Sequence, residues 1–115
     1  MTKLEFDKIV RRRLGLVERT LIARAKEYAT DADRLHNFKE AALLEGCSPA
    51  DALRGFALKH WVSVRDVVRD WADPESGITF AQVDEKIGDA IAYLCLLECV
   101  LVENLTATGK PPASG

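Results

Sequence analysis

Aromatic residues are scarce in this chain of 115 residues: four Phe, two Tyr and two Trp, 7% of the total. With so few rings, and with no stretch that alternates apolar and polar residues, nothing reads as a strand. Cysteine is scarcer, three residues with no CxxC spacing. An odd count without ligand spacing excludes a disulfide framework and suits free thiols in a reducing cytoplasm. Cys95 and Cys99 lie one turn apart in an apolar stretch, where thiols pack as small apolar groups. No long hydrophobic run is present. The longest, Ala90 to Val102, falls short of the ~20 residues a bilayer requires. The opening MTKLEFDKIVRRR has no apolar signal core. A surplus of one charge is missing too: the net charge of −2 argues against a membrane or a nucleic acid as partner.

What is present fits an ordinary globular domain, 48% hydrophobic and 30% charged. The charge is unevenly spread. Residues 1–26 hold eight Lys and Arg against three Asp and Glu, and residues 27–115 hold eight against fifteen. Arg11, Arg12 and Arg13 make the densest basic spot, read as a solvated helix face, with a phosphate or nucleic-acid contact as the alternative.

Apolar spacing predicts four helices. The first runs from Leu4 to Ala29, with Gly15 inside it marking a kink or a close helix crossing. The segment Thr30 to Asp33 ends it. A short second helix spans Leu35 to Leu44, closed by Gly46. Ser48, Pro49 and Asp51 start a third that reaches Trp71. Thr79 and Gln82 form a capping box for a fourth, from Thr79 to Leu105. The fold class is therefore all-α, a four-helix bundle-like domain over residues 1–106 with a disordered tail over 107–115. The second half of the last helix is apolar on nearly every side, so a second subunit is expected to cover it. A homodimer or higher homo-oligomer follows.

Chemistry has three candidate seats. In the last helix Glu85 and Asp89 stand one turn apart on one face, and Tyr93 continues the line. Two stacked carboxylates suit a divalent cation, or simply an acidic helix start. In the third helix Lys59, Ser63, Asp66 and Asp70 share a face and His60 lies about 100° round from it. That stripe is either a phosphate and metal surface or the solvent side of an amphipathic helix. The segment Arg24 to Lys39 concentrates Glu27, Asp31, Asp33, Arg34, His36 and Asn37 between ring platforms Tyr28 and Phe38, far more than an interhelical turn needs.

The stretch EKIGDAIAYLCLL resembles the last-helix pattern of the all-α NTP pyrophosphohydrolases, the MazG-like and dUTPase-like group. The order RAKEY…DRLHNFK, LKHWVSVRD, EKIGDAIAYL resembles small MazG-like proteins common in phages and prophages, over roughly residues 20–100. The resemblance implies a helical bundle, usually dimeric or tetrameric. It also implies Mg2+ held by carboxylates and hydrolysis of a nucleoside triphosphate to the monophosphate and pyrophosphate. Asp89 matches the family's last-helix aspartate. The chain departs from the pattern twice: Lys86 stands where the ExxD glutamate would be, and the earlier EExxE is absent. Asp66, Asp70, or Glu27 with Asp31 would have to substitute. The roles expected on this reading are metal ligation by Glu85 and Asp89, catalysis by Glu27, Asp66 and His60, and substrate binding by Arg34, Asn37, Lys59 and Tyr93. The alternative is a non-catalytic helical module that binds nucleotide or a protein partner.

Overall fold

The computed structural model describes residues 1–28 and 33–107, and the side chains of residues 24–28 and 107 lie outside that description. Among the described residues the fold is all-α: α1 (Lys3–Tyr28), α2 (His36–Glu45), α3 (Pro49–Trp71) and α4 (Phe80–Ala107), with no strand. Each helix lies within one or two residues of its expected bounds, the usual scatter of fraying ends. The break expected at Thr30 to Asp33 falls mostly on residues outside the description, and so does the tail.

Local chemistry explains the helix ends. Thr2 and Glu5 cap α1 reciprocally: the Glu5 N–H donates to Thr2 Oγ1 at 3.2 Å, and the Thr2 N–H donates to Glu5 Oε2 at 2.7 Å. The α2 start has no capping side chain of its own. Instead Asp33 Oδ1 accepts from the Leu35 N–H at 3.0 Å. Gly46 closes α2 with φ of 70°, a conformation open to glycine without strain. Ser48 accepts from the Asp51 N–H at 3.1 Å, and Pro49 occupies the first turn. Thr79 and Gln82 form the expected box at the start of α4, at 3.2 and 2.8 Å.

Packing centres on α3 and α4, with α2 laid on α3 and α1 docked on α4. Leu53, fully buried, meets Leu35, Phe38 and Val100, bordered by Ala50, Tyr93, Leu96 and Leu97. Each such buried side chain contributes about 1.5–3 kcal/mol. Ala42, Ala52 and Ala57 are buried as well, small enough to let the helices approach. Lys39 ties α2 to α4 through Asp33 at 2.8 Å and Glu103 at 2.5 Å. Its ammonium is pushed above the ordinary lysine value by those two acids, Asp33 first, and Asp33 is pushed below its own by Lys39 and the Leu35 N–H.

α1 is held differently. Among the described residues Val17 is its one buried side chain, while Leu4, Ile9, Leu14 and Ile22 are more than half exposed. The chain spreads accordingly, to a radius of gyration of 16.7 Å against the ~13 Å of a compact chain of this length. α4 also leaves Leu94, Leu101 and Val102 exposed. Of the two cysteines expected to pack in the core, Cys95 is half-buried and Cys99 is exposed; Cys47, between α2 and α3, is exposed too, and all three are free thiols. Among the described residues no helix is long and apolar enough to cross a membrane.

Candidate functional site

All four helices line one cleft of about 220 Å³. α1 supplies Thr20 and Leu21, α2 supplies Asn37 and Phe38, α3 supplies Phe56, and α4 supplies Asp89, Ala92, Tyr93 and Leu96. The helical register accounts for the α4 share: Asp89, Tyr93 and Leu96 fall at i, i+4 and i+7 and so form one stripe. Phe38 and Phe56 meet at a ring distance of 6.2 Å, tilted by 60°, and make the apolar wall.

His60 of α3 stacks on Tyr93 at 4.4 Å between ring centres. Its Nδ1 lies 3.7 Å from Asp89 Oδ2, too far for a hydrogen bond but close for an ion pair. Asp89 is therefore held loosely, with about a third of its side chain exposed. A second hollow of about 200 Å³ continues the cleft along α1 and α4, sharing Thr20 and Asp89 with it and adding Arg13, Asp84, Glu85 and Gly88. Glu85 and Asp89 thus border one space, as their spacing predicts.

The basic spot of α1 is a solvated face only in part: Arg11 and Arg12 are exposed, while Arg13 is half-buried. Arg12 donates from Nη1 and Nη2 to the two oxygens of Asp84 at 2.8 and 2.9 Å, and Arg13 Nη2 donates to the same carboxylate. Two cations on one acid, in a bidentate fork, hold α1 to α4. The Arg12 hydrogen bonds, joined by that of Arg13, outweigh partial burial and lower the Asp84 carboxyl to about 2. Arg12 is raised by the same bonds and also lies over the Phe80 ring at 5.5 Å.

The other expected residues are dispersed. Asp66 faces Arg65 and Arg69 at 3.3 and 3.5 Å, about 9 Å further along α3 than His60. Asp70 pairs with Arg69 at 3.0 Å. Lys59 is exposed, and its carbonyl accepts from the Ser63 hydroxyl at 3.0 Å. Arg34 borders a different hollow, with Asp33, Cys95, Cys99 and Glu103. Lys86 lies 4.0 Å from Glu85. The Glu27 and Tyr28 side chains and all of Asp31 lie outside the described residues. Among the described residues no three His, Cys, Asp or Glu side chains gather closely enough to hold a metal ion by themselves. The pair Glu85 and Asp89 fits a cation that takes its remaining oxygens from phosphate and water, as magnesium does.

The spacing of acids alone does not reveal Thr20, Phe56, Arg13, Asp84 or Gly88. One signal pointed towards the clamp: the basic first 26 residues against an acidic remainder. At Gly88 only the structure shows the contact. A Cβ there would stand 2.8 Å from Arg13 Nη1, whereas at Gly15 it would meet only the end of Arg19 at 3.4 Å. Of the kink or close helix crossing expected at Gly15, the crossing is not found, since no other helix comes near its Cβ position; at Gly88 the tip of the Arg13 side chain from α1 rests on α4. Comparison of the chain with models of protein families, with curated proteins and with solved structures finds no match.

Proposed function

We propose that the cleft binds a nucleoside triphosphate as its magnesium complex and hydrolyses it to the monophosphate and pyrophosphate. The observation that carries this reading is the convergence of Asn37, Asp89 and Tyr93 on one cleft, with His60 against both Asp89 and Tyr93. The Asn37 amide offers a donor and an acceptor to a base or sugar edge. The rings of Phe38, Phe56 and Tyr93 suit a flat base. Asp89 and Glu85 would hold magnesium, which supplies charge neutralisation on the triphosphate and a more acidic water. His60 would orient that water towards the α-phosphorus. The water oxygen would bond to the α-phosphorus as His60 accepts its proton, the bond to the bridging oxygen would break, and pyrophosphate would leave with the electron pair.

A second reading is binding without turnover. It draws support from Lys86 beside Glu85, from Asp66 engaged with arginines, and from the missing third acid among the described residues. Pyrophosphate release, assayed over a panel of canonical and modified NTPs and dNTPs with magnesium, separates the two. Turnover of one nucleotide, lost in Asp89→Asn, supports hydrolysis. Silence across the panel together with a magnesium-dependent rise in melting temperature leaves binding alone.

The assembly proposed with this function is a homo-oligomer. Ile9, Val10 and Leu14 of α1 with Phe80, Val83 and Ile87 of α4 border an apolar groove of about 410 Å³, suited to a second copy. Sedimentation should give a mass of at least two chains, and a monomer at micromolar concentration would remove this part of the proposal. The three free thiols suit a reducing, cytoplasmic setting.

A further inference from the structure

We propose that Arg13 binds the pyrophosphate arm of the nucleotide, and so sets the preference for triphosphate over monophosphate. This rests on the nucleotide reading of the adjoining cleft. The hollow beyond Asp89 is bordered by one guanidinium, one hydroxyl (Thr20) and three carboxylates, Asp84, Glu85 and Asp89. Asp84 is engaged by the two arginines, so Glu85 and Asp89 are left to repel a bare anion, and Arg13 to repel a bare cation. A magnesium–phosphate complex suits both sets: carboxylates for the ion, guanidinium and hydroxyl for the phosphate oxygens.

The guanidinium is prepared for this task. Its Nη2 is fixed on Asp84, which Arg12 already holds with both oxygens. Its Nη1 lies over Gly88, where any side chain would displace it. The Arg13 side chain is only 18% exposed, so its charge acts from a partly dehydrated position and loses little freedom when a ligand arrives. Gly88 lies on α4 one residue before Asp89, so the guanidinium resting on it borders the same space as the proposed metal ligands. Continuity through Thr20 and Asp89 gives a base in the Asn37–Tyr93 cleft an outlet for its phosphates in this direction.

Titration calorimetry with magnesium tests the proposal, using a non-hydrolysable nucleoside triphosphate, the matching monophosphate and inorganic pyrophosphate as probes. Arg13→Gln should weaken the triphosphate and pyrophosphate by about 10- to 100-fold, the worth of a charge-assisted hydrogen bond. It should leave the monophosphate within about twofold. Gly88→Ala, which keeps the arginine but occupies its place, should show the same selective loss, and it carries the test should Arg13→Gln melt early. Arg54→Gln removes an exposed charge on α3, paired with Asp51 and away from the hollow, and should show no selective loss. If the wild type binds the nucleotides and the Arg13 and Gly88 variants weaken all probes equally, or none, this proposal fails while the nucleotide reading stands. If the wild type binds none of the probes, both fail.

Discussion

α1 and the α2–α3–α4 unit are held by different forces, and the cleft lies on the seam between them. The three later helices close on an apolar core around Leu53, Phe38 and Val100. Among the described residues α1 contributes one buried side chain, Val17, and it is fastened to α4 by the forked clamp of Arg12 and Arg13 on Asp84. Apolar burial is non-directional and tolerates small rotations. A bidentate clamp fixes register and orientation. The walls that supply rings come from the core side, and the wall that supplies Arg13 and Thr20 comes from the clamped side. Register matters most where a guanidinium must face two carboxylates.

The sharpest way to break the core side is Leu53→Ala. Its side chain is fully buried among three helices, and the cavity left behind should lower stability by about 2–5 kcal/mol. Urea unfolding should show a reduced midpoint with an unchanged slope. A loss under ~1 kcal/mol would mean that the helices collapse readily onto the gap and that this core is not what holds the unit together.

Next in size is the ligand-linked effect at Asp89. At a free nucleotide concentration of 100 times Kd, binding stabilises the native state by about 2.7 kcal/mol. Asp89→Asn should remove that gain while leaving the melting temperature without ligand nearly unchanged, since the contact of Asp89 with His60 spans 3.7 Å and is partly exposed. Chelation of magnesium from the wild type should remove the same gain. Scanning fluorimetry reads both. A full nucleotide-induced rise in the variant would exclude Asp89 from the site.

The clamp side breaks with acid. Asp84 has its carboxyl lowered to about 2 by the hydrogen bonds from Arg12 and then Arg13, below the ordinary value of ~3.9. The contribution is therefore full above pH ~4 and is lost as pH falls from ~4 towards 2. Asp33, lowered by Lys39, adds a loss of the same sign on the core side. Asp84→Asn should destabilise the protein at neutral pH. Its melting temperature should then fall less than that of the wild type on acidification, and the two should converge near pH 2. Amide exchange in α1 should rise before that in α3. Parallel acid curves for the two proteins would show that the clamp adds nothing to docking.

Most of the fold was legible in the sequence because it is written locally. Ser48 with Asp51, Thr79 with Gln82, and Gly46 each fix a helix end within four residues of chain. The α4 stripe of Glu85, Asp89 and Tyr93 was legible for the same reason, since helical spacing alone aligns it. The clamp was not, because Arg12 and Asp84 lie 72 residues apart, and the charge imbalance between the first 26 residues and the rest does not say which acid meets which arginine. Asp66 shows the converse limit. Its spacing from Lys59 was sound, yet Arg65 and Arg69 flank it closely enough to take its charge.

The smallest effect concerns two glycines that look alike in sequence. Gly15 and Gly88 both sit inside helices, where replacing glycine by alanine ordinarily adds about 0.5–1 kcal/mol of stability. At Gly15 the added methyl meets only the flexible end of Arg19, at 3.4 Å, an ordinary contact. Gly15→Ala should therefore raise the melting temperature by the propensity gain alone. At Gly88 the same methyl stands 2.8 Å from Arg13 Nη1, so the propensity gain is opposed by displacement of a guanidinium from its acid. Gly88→Ala should fall below Gly15→Ala in stability despite identical chemistry. The gap between them should shrink in an Arg13→Gln background, where nothing remains to displace. Equal gains at both positions would show that Arg13 can swing aside freely, and the clamp would then rest on Arg12 alone.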